Sequence, residues 1–145
     1  MILECSSLFY HYLSCGLTIA LPVIGVSIGQ GLTSKASLEA LNLQPSTKNE
    51  INRTLIIGLA LTETAAILCF IAAMKLLFGG PFLELPHASF MHYSELGIFL
   101  ALGINGFVAG LASSYPAKHA CLAVAQQPFF TNKIQLLMVI TQSLM

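Results

Sequence analysis

The chain has 145 residues and no formal net charge, with six Lys and Arg against six Asp and Glu; 56% of its residues are hydrophobic, only 8% are charged, and the mean hydropathy is +0.81. A soluble domain carries about 25% charged residues, so this composition excludes a water-soluble globule, and the zero charge balance excludes the basic footprint of a nucleic-acid binder. The chain is therefore to be counted in membrane spans, with lipid and other apolar helices as its partners.

The N-terminal stretch, MILECSSLFYHYLSCGLTIALPVIG, has Glu4 and no Lys or Arg ahead of its apolar run. It lacks the basic leader and small-residue cleavage site of a signal peptide and reads as the start of a mature span. Segment one is expected over Tyr12–Asn42, apolar to Leu32 and then amphipathic, with Ser34, Lys35, Ser37 and Glu39 marking emergence from the bilayer. Within it Gly25, Ser27, Gly29 and Gly31 form a stripe of small residues. Such a stripe lets neighbouring helix backbones approach closely, and glycines this dense in a helix need a compensating contact. A phosphate-loop reading of these glycines fails, since neither the preceding strand nor the polar setting is present.

The turn NLQPSTKN follows, a proline among turn formers, and folds the first two spans into an antiparallel hairpin. Segment two, Glu50–Phe78, contains the apolar run Thr54–Met74, which at about 1.5 Å per residue reaches across roughly 30 Å of hydrocarbon. Glu63 is the lone ionisable side chain between Arg53 and Lys75. A bare carboxylate near the midplane costs several kcal/mol, so it is expected to be neutralised by a proton, bound to a cation, or turned to a polar cavity; an ion or proton site is the default. The plainer alternative is a neutral glutamic acid hydrogen-bonded to a neighbouring helix.

Residues 79–92, GGPFLELPHASFMH, carry two prolines and two glycines and form a connector. Segment three is expected over Glu95–Gln126, then the turn QQPFFTNK, then segment four, Asn132–Met145, too short to cross a bilayer. Cys5, Cys15, Cys69 and Cys121 are scattered singly and read as small hydrophobes, and His11, His87, His92 and His119 are equally dispersed.

Lys35, Lys48, Arg53, Lys118 and Lys133 flank the two turns, which places both turns in the cytoplasm and the connector and N-terminus outside. One constant offset pairs Lys35 with Lys118, Ala40 with Ala123, Gln44-Pro45 with Gln127-Pro128, Asn49 with Asn132 and Ile51 with Ile134. The fold expected is thus an all-α membrane protein of tandem transmembrane hairpins: 1–82 the first, 83–92 the connector, 93–145 the second. Three spans are full and the fourth is truncated, since the counterpart of Glu63 falls one position past Met145. The second repeat keeps a weaker small-residue stripe in Gly106, Gly110, Ala112 and Ser114.

The stretch IGVSIGQGLTSKASLEALNLQPSTKNEINRTLIIGLALTE resembles the rotor-ring c subunit of F-type ATP synthases: a glycine-striped helix, a polar Gln-Pro loop, then an apolar helix with one carboxylate. The spacings from Gln30 and from Pro45 to Glu63 fit that family without gaps, and the likeness covers residues 12–82. The segment from Leu100 to Met145 resembles a second, incomplete hairpin of the same kind, as in the larger proteolipids of vacuolar-type rotary ATPases.

The resemblance implies a homo-oligomeric ring, non-catalytic and without a cofactor, that carries H⁺ or Na⁺ on Glu63. It implies a stator a subunit and central-stalk gamma and epsilon subunits as partners, the stalk touching the loops at Gln44, Pro45, Gln127 and Pro128. The setting it implies is a bacterial inner membrane or an organellar energy-transducing membrane. Sodium-binding relatives use a glutamine at the position of Gln30, a hydroxyl at that of Thr64 and a backbone carbonyl at that of Leu61, so these would ligate Na⁺ together with Glu63 if Na⁺ is the coupling ion. Against this, Ala65 and Leu68 stand where sodium sites often place a hydroxyl and a tyrosine, and a threonine in a membrane helix commonly bonds its own backbone; H⁺ is the leading expectation. Two departures from the family are the missing loop arginine, with Leu43 and Gln126 before the two Gln-Pro pairs, and the doubling of a subunit that is usually one hairpin; in the second repeat Ser113 holds the position of Gln30.

A small proton-coupled multidrug or cation exporter also uses one membrane glutamate, but in its first span and among aromatic residues, whereas Glu63 lies in the second span and the chain has no Trp. A ring-assembly protein with no transport role is the third reading, and it requires Glu63 to be dispensable.

Overall fold

A computed structural model describes residues 2–78 and 96–145, with side chains from Phe9 onward. Helix α1 spans Ile2–Leu43 and α2 Lys48–Phe78; α3 covers Asn105–Gln126 and α4 Thr131–Ser143. Short 3₁₀ turns at Pro45–Thr47 and Pro128–Phe130 join the helices within each hairpin, and a π-helical segment, Phe99–Ile104, leads into α3. The expected connector at 79–92, with His87 and His92, lies outside the described residues. Three stretches, Phe9–Leu43, Pro45–Phe78 and Leu96–Gln126, are long and apolar enough to cross a membrane, and no strand occurs among the described residues. This is an all-α membrane protein.

Helix α1 begins well before the expected Tyr12, because no proline or glycine precedes Gly16 to break it. Both turns are made the same way. Gln44 (φ −144°, ψ 84°) and Gln127 (φ −135°, ψ 72°) leave the helical region, as residues ahead of proline do. Their N–H groups still donate to the Ala40 and Ala123 carbonyls at 3.0 and 2.8 Å. Pro45 and Pro128 then open the next turn at a position where a missing N–H costs nothing.

Helices α1 and α3 lie side by side and parallel. A Cβ built on Gly29 would stand 2.7 Å from the Gly110 oxygen and 2.9 Å from the Ser114 Cβ, and Gly25 abuts the Phe107 backbone. Further along, the Thr33 hydroxyl faces the Ser114 carbonyl at 3.4 Å. Gly31 meets nothing and Ser27 is exposed. Only half of the small-residue stripe packs here, since two positions rotate by about 200° around a helix and every second residue changes face.

Helix α2 presents Ile51, Thr54, Gly58, Thr62, Cys69 and Ala73 as its buried stripe. Near the turns, Ile51 clusters with Ala40 of its own hairpin and with Val124 and Ala125 of the other, so both turns sit at one end of the bundle. Farther along α2, Gly58 faces Ala117, and Ala117, Ala120 and Met138 form a second small cluster. In the π-helical segment the Leu102 carbonyl receives the Cys69 thiol at 3.4 Å, a donor from another helix at a place where the regular ladder is interrupted.

Candidate ion site and relatives

Glu63 sits midway along α2 and Gln30 in the second half of α1, and the antiparallel hairpin brings them level. The Gln30 Nε2 donates to Glu63 Oε1 at 2.8 Å. Gln30 is half-buried and Glu63 is exposed on the bundle surface. At about 100° per residue, Glu63 points roughly 140° away from Gly58, the position at which α2 meets the second hairpin. The carboxylate therefore faces outward from the pair of hairpins, and its second oxygen is open to an ion, a proton or a neighbouring surface.

The other two expected ligands are engaged with each other. Thr64 donates its hydroxyl to the Leu61 carbonyl at 2.7 Å, the back-bonding common for threonine in apolar helices. Thr64 is exposed beside Glu63. Its oxygen keeps lone pairs free, so this bond does not remove it as a ligand, but it fixes the hydroxyl's proton toward the helix. Among the described residues no three His, Cys, Asp or Glu side chains gather.

The loop residues Gln44 and Pro45, and Gln127 with Pro128, occupy equivalent turns at the same end of the bundle, well removed from Glu63. At the repeat position of Gln30, Ser113 is buried and donates its hydroxyl to the Gly110 carbonyl. Its own carbonyl accepts from Gln142 Nε2 at 2.8 Å.

Sequence reasoning gives no role to Gln135 and Gln142 of α4, yet both are buried and join helices. Gln135 Nε2 donates to Thr54 Oγ1 at 2.9 Å. Gln142 Nε2 also lies 3.3 Å from the Gly58 carbonyl and 3.4 Å from Thr62 Oγ1. The available signal is their seven-residue spacing, which puts both amides on one face of α4, opposite Thr54, Gly58 and Thr62, a small and polar face of α2.

Comparison with known proteins identifies the family of the first hairpin. The family model for the C subunit of ATP synthase matches residues 13–76, the first hairpin with both Gln30 and Glu63. An ATP synthase c subunit of Cereibacter sphaeroides is 37% identical over 70 residues, 48% of this chain and 84% of the relative. A c subunit of the Syntrophotalea carbinolica ATP synthase is 40% identical over 70 residues, covering 48% of this chain and 80% of the relative. The chloroplastic c subunit of Galdieria sulphuraria is 37% identical over 72 residues, covering 50% and 87%. One hairpin thus accounts for most of each relative but half of this chain, which has about twice the size of a single c subunit, as a tandem duplication would give. With a c-type hairpin matched at 37 to 40% identity over 80 to 87% of those relatives' length, the chain belongs to the ATP synthase c-subunit family.

Proposed function

We propose that this protein is a rotor-ring subunit that moves H⁺, or alternatively Na⁺, by reversible binding at Glu63, coupled to rotation and to ATP synthesis or hydrolysis. The observation that carries the reading is the 2.8 Å contact from Gln30 to Glu63 across the hairpin, at the lone carboxylate in the middle of a membrane span. Family membership supplies the coarser role, a non-catalytic membrane component of the ring. In the finer reading, a fixed positive charge on a stator a subunit favours the ionised carboxylate and releases the ion, whereas the neutral form is favoured facing lipid.

The two Gln-Pro turns would meet the central-stalk gamma and epsilon subunits on the cytoplasmic side of a bacterial inner membrane or an organellar energy-transducing membrane. Their common geometry and common end of the bundle support that placement.

The test is the rate at which a carbodiimide, which attacks protonated carboxyls, labels Glu63 in membranes across a pH series with and without Na⁺. Labelling that follows pH alone identifies a proton carrier; labelling that falls as Na⁺ rises identifies a sodium site. No selective labelling of Glu63 would sink the carrier reading. Thr64→Ala sharpens the choice. For a proton carrier, the hydroxyl only bonds the Leu61 carbonyl, and the variant is expected to label within about twofold of the parent, since surface changes of this kind alter little. For a sodium carrier, protection by Na⁺ is lost with the hydroxyl.

A further inference from the structure

We propose that Gln135 and Gln142 bolt the two hairpins of this chain into one permanent unit, and that the seam along which a second copy of the chain docks has no equivalent bolt. The second half of this statement rests on the ring reading; the first stands on the chain itself.

Inside the chain the bolt is made of explicit contacts. Gln135 is tied to Thr54, and Gln142 reaches Gly58, Thr62 and Ser113, so one amide bridges three helices. Both glutamines are buried, Gln142 to 8% exposure, and a buried amide that loses its partner costs free energy. Among the described residues the Gln142 Oε1 meets no hydrogen-bond donor. Apart from the Cys69 thiol on Leu102, the polar bonds from the first hairpin to the second join residues 80 to 84 positions apart, so each hairpin sits beside its neighbour in the repeat's own register. A head-to-tail contact of this kind can be continued by a further copy.

Carrying the same contacts forward by the offset that pairs Lys35 with Lys118 shows what that next seam contains. Gln135 is replaced by Asn52 and Gln142 by Leu59, while Thr54, Gly58 and Thr62 are replaced by Leu137, Thr141 and Met145. Asn52 of a second copy would therefore meet Leu137, and Leu59 would meet Thr141 and Met145. At these positions no side-chain amide faces a hydroxyl. The glycine contact at Gly25 weakens too: its counterpart against Phe107 is Val108 against Ile24, both about half exposed here, whereas that of Gly29 against Ser114 is the equally small pair Ala112 and Gly31. Val108 in place of a glycine holds the helices farther apart at that level. A ring of these chains alternates a tight, hydrogen-bonded seam with a looser, apolar one.

The experiment takes the purified assembly in mild detergent through rising SDS. Dissociation into single chains is read by native mass spectrometry. Opening of the internal seam is read by mass-mapped maleimide labelling of Cys69, which is 5% exposed and lies against Gly106 in that seam. Chains are expected to separate before Cys69 labels. Gln135→Met together with Gln142→Met is expected to speed Cys69 labelling about tenfold or more, the effect of losing the interhelical hydrogen bonds of both glutamines, without moving the dissociation midpoint. Asn52→Gln with Leu137→Thr is expected to do the reverse, raising the SDS needed to separate chains and leaving Cys69 labelling as it was. Cys69 labelling that accompanies or precedes dissociation overturns the proposal, as does a methionine double variant that labels like the parent. Failure to find any assembly overturns the ring reading instead, and Cys69 labelling of the isolated chain still decides whether the bolt exists.

Discussion

Glu63→Gln is expected to abolish ion transport by the assembled complex, at least about a hundredfold, while leaving the fold intact. The size follows from the chemistry: a carrier must alternate between an ion-loaded and an empty state, and a carboxamide neither gains nor loses a proton in the accessible pH range. The fold survives because the amide oxygen can take the place of Oε1 and still accept from Gln30 Nε2, a bond now 2.8 Å long. Glu63 is also exposed, so no packing is lost, and stability should stay within about 0.5 kcal/mol of the parent. Glu63→Asp separates charge from reach. It keeps an ionisable group but draws it back by one methylene, out of contact with Gln30, and transport should fall to an intermediate level. The measurement is ion flux into vesicles holding the reconstituted complex, with carbodiimide labelling in parallel. Flux in the glutamine variant equal to that of the parent would remove Glu63 from the mechanism and favour the ring-assembly reading.

That Gln30 and Glu63 can be paired from the chain alone has a simple physical basis. A carboxylate in an apolar span is so costly that its presence is itself a signal, and the Gln-Pro pairs fix where the hairpin folds and hence which α1 residue lies level with Glu63. The turns are legible for the same reason, because a residue before proline is driven out of the helix whatever surrounds it. Other features depend on contacts that a linear pattern does not carry. The π-helical segment Phe99–Ile104 contains no proline, and its Leu102 carbonyl is met by Cys69 from another helix. The helical start at Ile2 lies ahead of the expected Tyr12, in a stretch with no proline or glycine in it to stop a helix. Gln142 escapes notice in a sequence where the length of α4 is its most conspicuous property. The amide's importance comes from facing two other helices at once, which only the packing reveals.

Enlarging Gly25 is expected to be the most damaging change to the fold itself. On Gly25 even a Cβ would run into the Phe107 carbonyl oxygen and stand 2.9 Å from the Phe107 Cα, and both of those atoms are backbone, so no rotamer change can make room. The helices must move apart. Doing so also opens the neighbouring contacts of Gly29 with Gly110 and Ser114, and of Gly110 with Val26, where a Cβ would lie 2.8 Å from Val26 Cγ2. Close approach of small residues is the main attraction between helices in lipid, where no hydrophobic force holds them together. Gly25→Leu should therefore cost about 3 kcal/mol or more, at the upper end of overpacking penalties. Gly16 is the matched control, since nothing lies within 4 Å of its Cβ position on the same helix. There alanine should be neutral or stabilise by up to about 1 kcal/mol, because it relieves the helix of a glycine. Helical circular dichroism of the chain during SDS titration measures both. A Gly25→Leu chain that unfolds at the parent's midpoint would show that α1 and α3 are not held in backbone contact, and with that the close-packed inner layer of the hairpin pair would be lost as an explanation of its stability.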